Sequence, residues 1–258
     1  MSLLALTAAL AAAPPASDHI GRIYTYVRSD RDGAEAETIH VFRESRTRIG
    51  VAKMRSRCTN AAYVTADLDL ERGYATRLGG GRLRPHAGRE EFAVLTYDAA
   101  ARRLDGRVET PNGPIQLTLN VPDTPWHIYD FDLASLTITA QYRPSRRANF
   151  SFGMPLLWPD GGANPLRYLG RADLRFVRAE RHNGRRAWRF EAGGPAFGNR
   201  GGPIWFDAAD GHILEASWGI PNHSEHRDFR LRLIRVSDGG AAEWRRLLTA
   251  HFEDCPAS

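Results

Sequence analysis

The stretch GGPIWFDAADGHILEASWG, residues Gly201–Gly219, decides the fold. Two short apolar runs, Pro203–Phe206 and Ile213–Trp218, flank Asp207–Gly211, whose residues suit a tight turn. This is a β-hairpin in sequence form. If Asp207 lies opposite His212, Trp205 faces Leu214, and Ala216 and Trp218 share that side. Two tryptophans on one face then look into a concavity, which they either fill or share with a ligand.

The same grammar runs outward in both directions. Most segments alternate with period two and stop at Gly, Pro, Asp or Asn, the pattern of antiparallel strands. Ile20–Val27, Glu37–Ser45 with Arg46–Met54, and Phe229–Val236 read as strands, and Asn183-Gly184 reads as a two-residue hairpin turn. Turns are expected at Glu71–Gly73, Asp98–Arg102 and Pro111–Gly113, and a loop at Gly79–Gly81. Trp126–Pro144 is strand-like for most of its length, with Trp126, Ile128, Asp130 and Asp132 on one side and His127, Tyr129, Phe131 and Leu133 on the other. Near the end, Trp244, Leu247, Leu248 and His251 recur at helical spacing, which predicts a C-terminal helix, with a final strand as the alternative. About fourteen to sixteen strands with hairpin connections exclude a doubly wound α/β fold. The expected fold is mainly β: an antiparallel meander forming a strongly curved sheet, half-barrel or open barrel. A Gly/Pro loop at 159–165 offers a break, but composition does not change across it, so 18–258 reads as a single antiparallel domain.

Residues 1–17 read as a secretory signal peptide: Leu3–Ala13 is apolar, too short to span a bilayer, and followed by small residues. The expected compartment is periplasmic or secreted, with no transmembrane segment. Outside the cytosol an even pair of cysteines, Cys58 and Cys255, is expected to form a disulfide. The net charge is +5, and of 35 basic residues only Lys53 is lysine. The arginines are scattered without a basic run or nucleic-acid motif, so no nucleic-acid partner is expected.

Chemistry-bearing patterns are sparse. Asp130-Phe-Asp132 would place two carboxylates on one strand face, an arrangement that serves acid/base or glycosidic chemistry and equally decorates a solvent face. His223-Ser-Glu-His226 is a dense polar cluster, but it follows a proline and precedes a strand, so a solvated loop is expected rather than a metal site. No nucleophile elbow, phosphate loop or metal motif occurs, and no cofactor is expected. The aromatic residues Trp126, Tyr129, Phe131, Trp205 and Trp218 are the candidates for lining a mostly apolar cleft.

With those residues in view, Arg185–Val236 resembles the repeated apolar–Trp–Phe–Asp–x–x–x–Gly hairpins of uncharacterised secreted bacterial β-rich proteins. These in turn look like the lipoprotein-carrier half-barrel superfamily. The resemblance implies a periplasmic half-barrel holding a lipid or another amphiphile, and it carries over no catalytic residue. The expected function is an exported, non-enzymatic protein binding a hydrophobic or amphipathic small molecule or lipid, with a role in envelope assembly. The alternatives are a hydrolase acting on an envelope polymer through Asp130 and Asp132, or a structural, partner-binding module.

Overall fold

A computed structural model describes residues 18–158 and 165–256; the expected signal peptide, residues 1–17, lies outside them. Fourteen strands form one antiparallel sheet: β1 Ile23–Ser29, β2 Glu37–Arg43, β3 Arg48–Met54, β4 Ala62–Asp69, β5 Tyr74–Arg84, β6 Gly88–Asp98, β7 Arg103–Thr110, β8 Gly113–Asn120, β9 Phe150–Leu157, β10 Leu166–His182, β11 Arg185–Gly193, β12 Gly202–Asp207, β13 Ile213–Trp218 and β14 Phe229–Ser237. Its spatial order is β8 to β1 and then β14 to β9, so each half is a plain meander and the halves join where β1 pairs with β14. The sheet does not close. Its free edges are β8 and β9, and β8 comes up beside β10 across the seam.

Alternation sets which residues face inward. Tyr24, Tyr26, Ile39, Val41, Ile49 and Val51 from the first strands share one core with Phe152, Phe190, Ile204, Ala216, Trp218, Phe229 and Leu231 from the last. Asn183 and Gly184 take φ of 48° and 78°, the positive values that a primed two-residue turn between β10 and β11 requires.

The expected C-terminal helix is present as α2, Gly240–Ala250, following the short α1, Ala134–Thr139. It packs on the outer face. Trp244 and Leu248, one turn apart, bury against Ile23, Phe42, Ala52 and Leu83. Trp244 stacks on Phe42 at 5.2 Å and donates from Nε1 to the Tyr63 hydroxyl at 3.2 Å. Gly50 permits this approach, because a Cβ there would sit 3.3 Å from both the Trp244 and Tyr63 rings. Cys58 and Cys255 form the expected disulfide beyond the helix.

Three local expectations are corrected. Gly79–Gly81 is not a loop but the middle of β5. The strand passes so close to its neighbours that a Cβ on Gly81 would lie 2.8 Å from the Tyr63 carbonyl. Trp205 and Trp218 do not share a face. The Asp207 N–H does bond to the His212 carbonyl at 2.8 Å, but Leu214 is then bulged out of register. Trp205 pairs with Glu215 and Ile204 with Ala216, so Trp205 turns to the outer face while Trp218 remains in the core. Finally, Trp126–Pro144 is not a strand, as described below.

The disulfide bridges residues 197 apart in sequence. Cys58→Ser with Cys255→Ser is expected to lower unfolding free energy by up to about 5 kcal/mol through the larger entropy of the unlinked unfolded chain. Denaturant midpoints of wild type with and without reductant, beside the double variant, measure this.

Candidate functional site

Residues 126–142 leave the sheet and enter its interior. Tyr129–Phe131 forms a 3-10 turn, Asp132 and Leu133 reverse the chain, and α1 returns. The return is readable along the inner face of β1. Tyr24 accepts from Gln141 Nε2 at 3.0 Å, the Tyr26 hydroxyl lies 3.4 Å from Thr137 Oγ1, and Arg28 Nε lies 3.6 Å from Asp132 Oδ1. All six residues of α1, Ala-Ser-Leu-Thr-Ile-Thr, are buried. Their β-branched content is poor in helix propensity and reads as strand, but a segment surrounded by sheet has no edge to pair with and must satisfy its own backbone. Its entry is tied to the β9 edge: His127 N–H donates to the Gly153 carbonyl at 2.9 Å, and Gly153 N–H to that of Pro125 at 2.8 Å.

This plug collects most of the residues that the sequence singled out. Trp126, Tyr129 and Phe131 are buried in the core, and Trp218 packs on Tyr129 at 5.7 Å and on Phe229 at 5.5 Å. Trp205 stands apart on the outer face, stacked on His182 at 4.0 Å with Nε1 donating to Glu180 at 2.5 Å. The hollow predicted behind the aromatic strand faces is therefore occupied by the chain itself.

The reversal is held by charge. Asp132 is fully buried, with Lys53 Nζ 2.6 Å from Oδ2 and Asn222 Nδ2 donating to Oδ1 at 2.7 Å. Lys53 also donates to the Asp130 carbonyl, Arg28 donates to Asn222, and Asn222 donates to the Tyr129 carbonyl at 3.0 Å. Burial alone would raise the Asp132 pKa, but Lys53 and Arg28 outweigh it and hold the carboxyl at about 2. Asp130 accepts from the Leu157 N–H at 3.0 Å, yet burial pushes its pKa up to about 6 against the pull of Lys53. Two carboxyls tuned apart in this way resemble an acid–base pair. Substrate, however, has no approach to a carboxylate with no exposed surface, flanked by two cations. His223 belongs to the same cluster: it is 24% exposed and lies 3.9 Å from Asp132. The loop that carries it is thus not simply solvated, since Asn222 and His226 are buried and His226 Nδ1 lies 3.0 Å from Asp30. Lys53, Arg28 and Asn222 escaped sequence reasoning because they lie far from Asp132 in the chain.

A second arrangement lies at the opposite end of the sheet, where the plug emerges. A hollow of about 210 Å³ is bounded by Leu70, Pro125, His127, Leu136, Tyr142 and Phe150, with the charged residues Glu71, Arg72 and Arg143 also in its lining. The Arg143 guanidinium sits 3.6 Å over the Phe150 ring and donates to the Ala148 carbonyl at 2.7 Å. Burial lowers its pKa to about 10, and among the described residues no carboxylate lies within ion-pair distance of it. Nearby, Asp207, Asp210 and His212 bring ligand-type atoms within 4.8 Å of one another. They are engaged in holding their own turn: Asp207 accepts from the Ala209 N–H and from Arg185, and Asp210 from Arg22 and His212. The cluster has the donors it needs without a metal.

Asp132→Ala leaves Lys53 and Arg28 buried without their counter-charge and is expected to destabilise the fold by about 3–5 kcal/mol. Adding Lys53→Met should restore part of that loss, as a double-mutant cycle of unfolding free energies will show. Stability should also fall in acid. Burial holds His40 at about 4 and His127 at about 3, and it lowers His223 too, with Lys53 adding to the effect. Each of these histidines is neutral in the fold and takes up a proton on unfolding below its ordinary 6.5. Asp130, raised to about 6, instead releases a proton on unfolding between its ordinary value of 3.8 and about 6. Near pH 5 these four groups together take up about two protons on unfolding, contributing about 3 kcal/mol of lost stability per pH unit of acidification, and His127→Gln should remove roughly half of that contribution. Urea titrations across this window measure both. No known protein family matches the chain and no curated protein matches it, which leaves the geometry of plug and mouth as the ground for function.

Proposed function

We propose that the protein is an exported binder of an anionic amphiphile, with the headgroup on Arg143 and the end of the hydrocarbon in the hollow beside Phe150 and Leu136. One observation carries this: a half-buried arginine that lines a mainly apolar hollow and has no carboxylate within ion-pair distance among the described residues. Withdrawing a guanidinium from water without a counter-ion is unfavourable, and an incoming carboxylate or phosphate supplies the missing charge-assisted bonds. Apolar pockets with few polar anchors are the usual form of small-molecule sites. The hollow is smaller than the roughly 300 Å³ at which pockets for whole drug-sized ligands begin, so it suits a chain end rather than a complete lipid. The plug fills the interior beyond it.

Two further features support the same reading. The Cys58–Cys255 disulfide is at home in an oxidising compartment, and among the described residues no helix is long and apolar enough to cross a membrane. The hairpin resemblance of Arg185–Val236 to lipoprotein-carrier half-barrels suggests amphiphile handling in the envelope.

Titration with a medium-chain fatty acid, followed by calorimetry and native mass spectrometry, should show one bound molecule. Arg143→Gln is expected to weaken it roughly tenfold, the size of one charge-assisted hydrogen bond of about 1.5 kcal/mol, while the thermal midpoint stays near that of wild type. The matching fatty alcohol should bind no better to wild type than to the variant. Equal affinity of wild type and Arg143→Gln for the acid would remove Arg143 as the anchor, and no binding of any fatty acid or lysophospholipid would remove the function.

A further inference from the structure

The arginines are distributed unevenly. Six of the strand arginines carry their own counter-charge two residues away: Arg89–Glu91, Arg103–Asp105, Arg107–Glu109, Arg171–Asp173, Arg178–Glu180 and Arg189–Glu191, at 2.5 to 3.5 Å. Residues two apart on a strand share a face, so this spacing neutralises the sheet surface locally. The end of the sheet where the plug emerges breaks the pattern. Arg147 lies 4.2 Å over the Trp188 ring, and Arg146 donates to the Ala209 carbonyl. Arg181 and Arg186 stand directly opposite each other across the β10–β11 ladder, where like charges repel. None of these four has a carboxylate within ion-pair distance among the described residues. The acids nearby are already taken: Asp207 by Arg185, Asp210 by Arg22 and His212, and Glu180 by Arg178 and Trp205. Beside them lies a mainly apolar hollow of about 390 Å³ bounded by Arg186, Trp188, Ala208 and Ala209 together with the paired Arg185 and Asp207.

From this geometry we infer that the Arg146–Arg147–Arg181–Arg186 end of the open sheet docks on an anionic lipid surface, its arginines among the headgroups and the Trp188 hollow against the interface. Anionic bilayers attract clustered basic residues, and long cationic side chains reach headgroups while their stems stay apolar. A soluble polyanion would satisfy the arginines but leave the apolar hollow without an occupant. The surface is separate from the Arg143 pocket, so either assignment can fail alone.

Vesicle flotation tests it, using the purified full chain with phosphatidylcholine vesicles and with phosphatidylcholine–phosphatidylglycerol vesicles. Binding is expected only to the anionic vesicles and should weaken as salt rises. Arg146→Gln/Arg147→Gln/Arg186→Gln should lose at least about tenfold in affinity, with thermal midpoint and fatty-acid binding in solution retained. Arg245→Gln/Arg246→Gln, on the exposed face of α2, should bind as wild type does. Equal binding to neutral vesicles, or undiminished binding by the triple variant, would overturn the proposal. So would duplex DNA held as tightly as the vesicles and lost in the same variant, which marks a general polyanion surface.

Discussion

The ion pair between Lys53 and Asp132 is the constraint on which the rest of the interior depends. Inward side chains fill a barrel of about eight strands, but a wider one encloses space that something else must occupy. Here fourteen strands wrap a segment of their own chain, and that segment must reverse within the sheet. A reversal deep in a core exposes backbone groups and, in this case, two consecutive left-handed residues, Asp132 at φ 49° and Leu133 at φ 59°. Such conformations cost on the order of 1–3 kcal/mol each and persist only where the surroundings over-determine them. Lys53 does so by touching the Asp132 carboxylate and the Asp130 carbonyl together, and Asn222 does so by bonding both Asp132 and the Tyr129 carbonyl.

The choice of lysine is informative in a chain whose other basic residues are all arginine. Two acceptors on either side of a tight reversal converge on a small volume. An ammonium presents three donors from one point there, whereas the planar guanidinium fork matches acceptors lying in a plane. Arg28, the neighbouring cation, shows the contrast: it reaches Asp132 only at 3.6 Å and spends its hydrogen bond on Asn222. The cluster is therefore a clamp with lysine at its centre. The same burial that makes it a clamp separates the pKa values of Asp130 and Asp132, so the separation follows from the fold and needs no catalytic cause.

The sheet was legible because period-two alternation is written locally. Each strand of β13 or β14 announces its own inner face, the Asn183-Gly184 turn specifies its hairpin, and Trp244 and Leu248 mark a helix by spacing alone. What failed did so where a neighbour decides. The Leu214 bulge moves Trp205 to the outside through a single extra residue, and nothing in Ile213–Trp218 distinguishes that register from the regular one. Gly79–Gly81 looks like a loop until β4 and β6 are known to crowd it. Trp126–Pro144 looks like a strand until the sheet is seen to leave it no partner. The clamp was least legible of all: Asp132 was singled out in the chain, but Arg28, Lys53 and Asn222 come from three distant elements that meet only when the sheet wraps.

Charge placement follows the same division between local and global. An Arg-x-acid pair settles its electrostatics within three residues, whatever the neighbouring strands carry. Several of the arginines without such a partner lie on the 143–147 loop and the β10–β11 turn, the end at which the plug emerges beside Arg143. Attraction between unlike charges outlasts the short range of packing forces by about a Debye length. In the docking proposed above, that attraction would orient the open sheet before any contact forms and turn the Arg143 hollow toward the surface first.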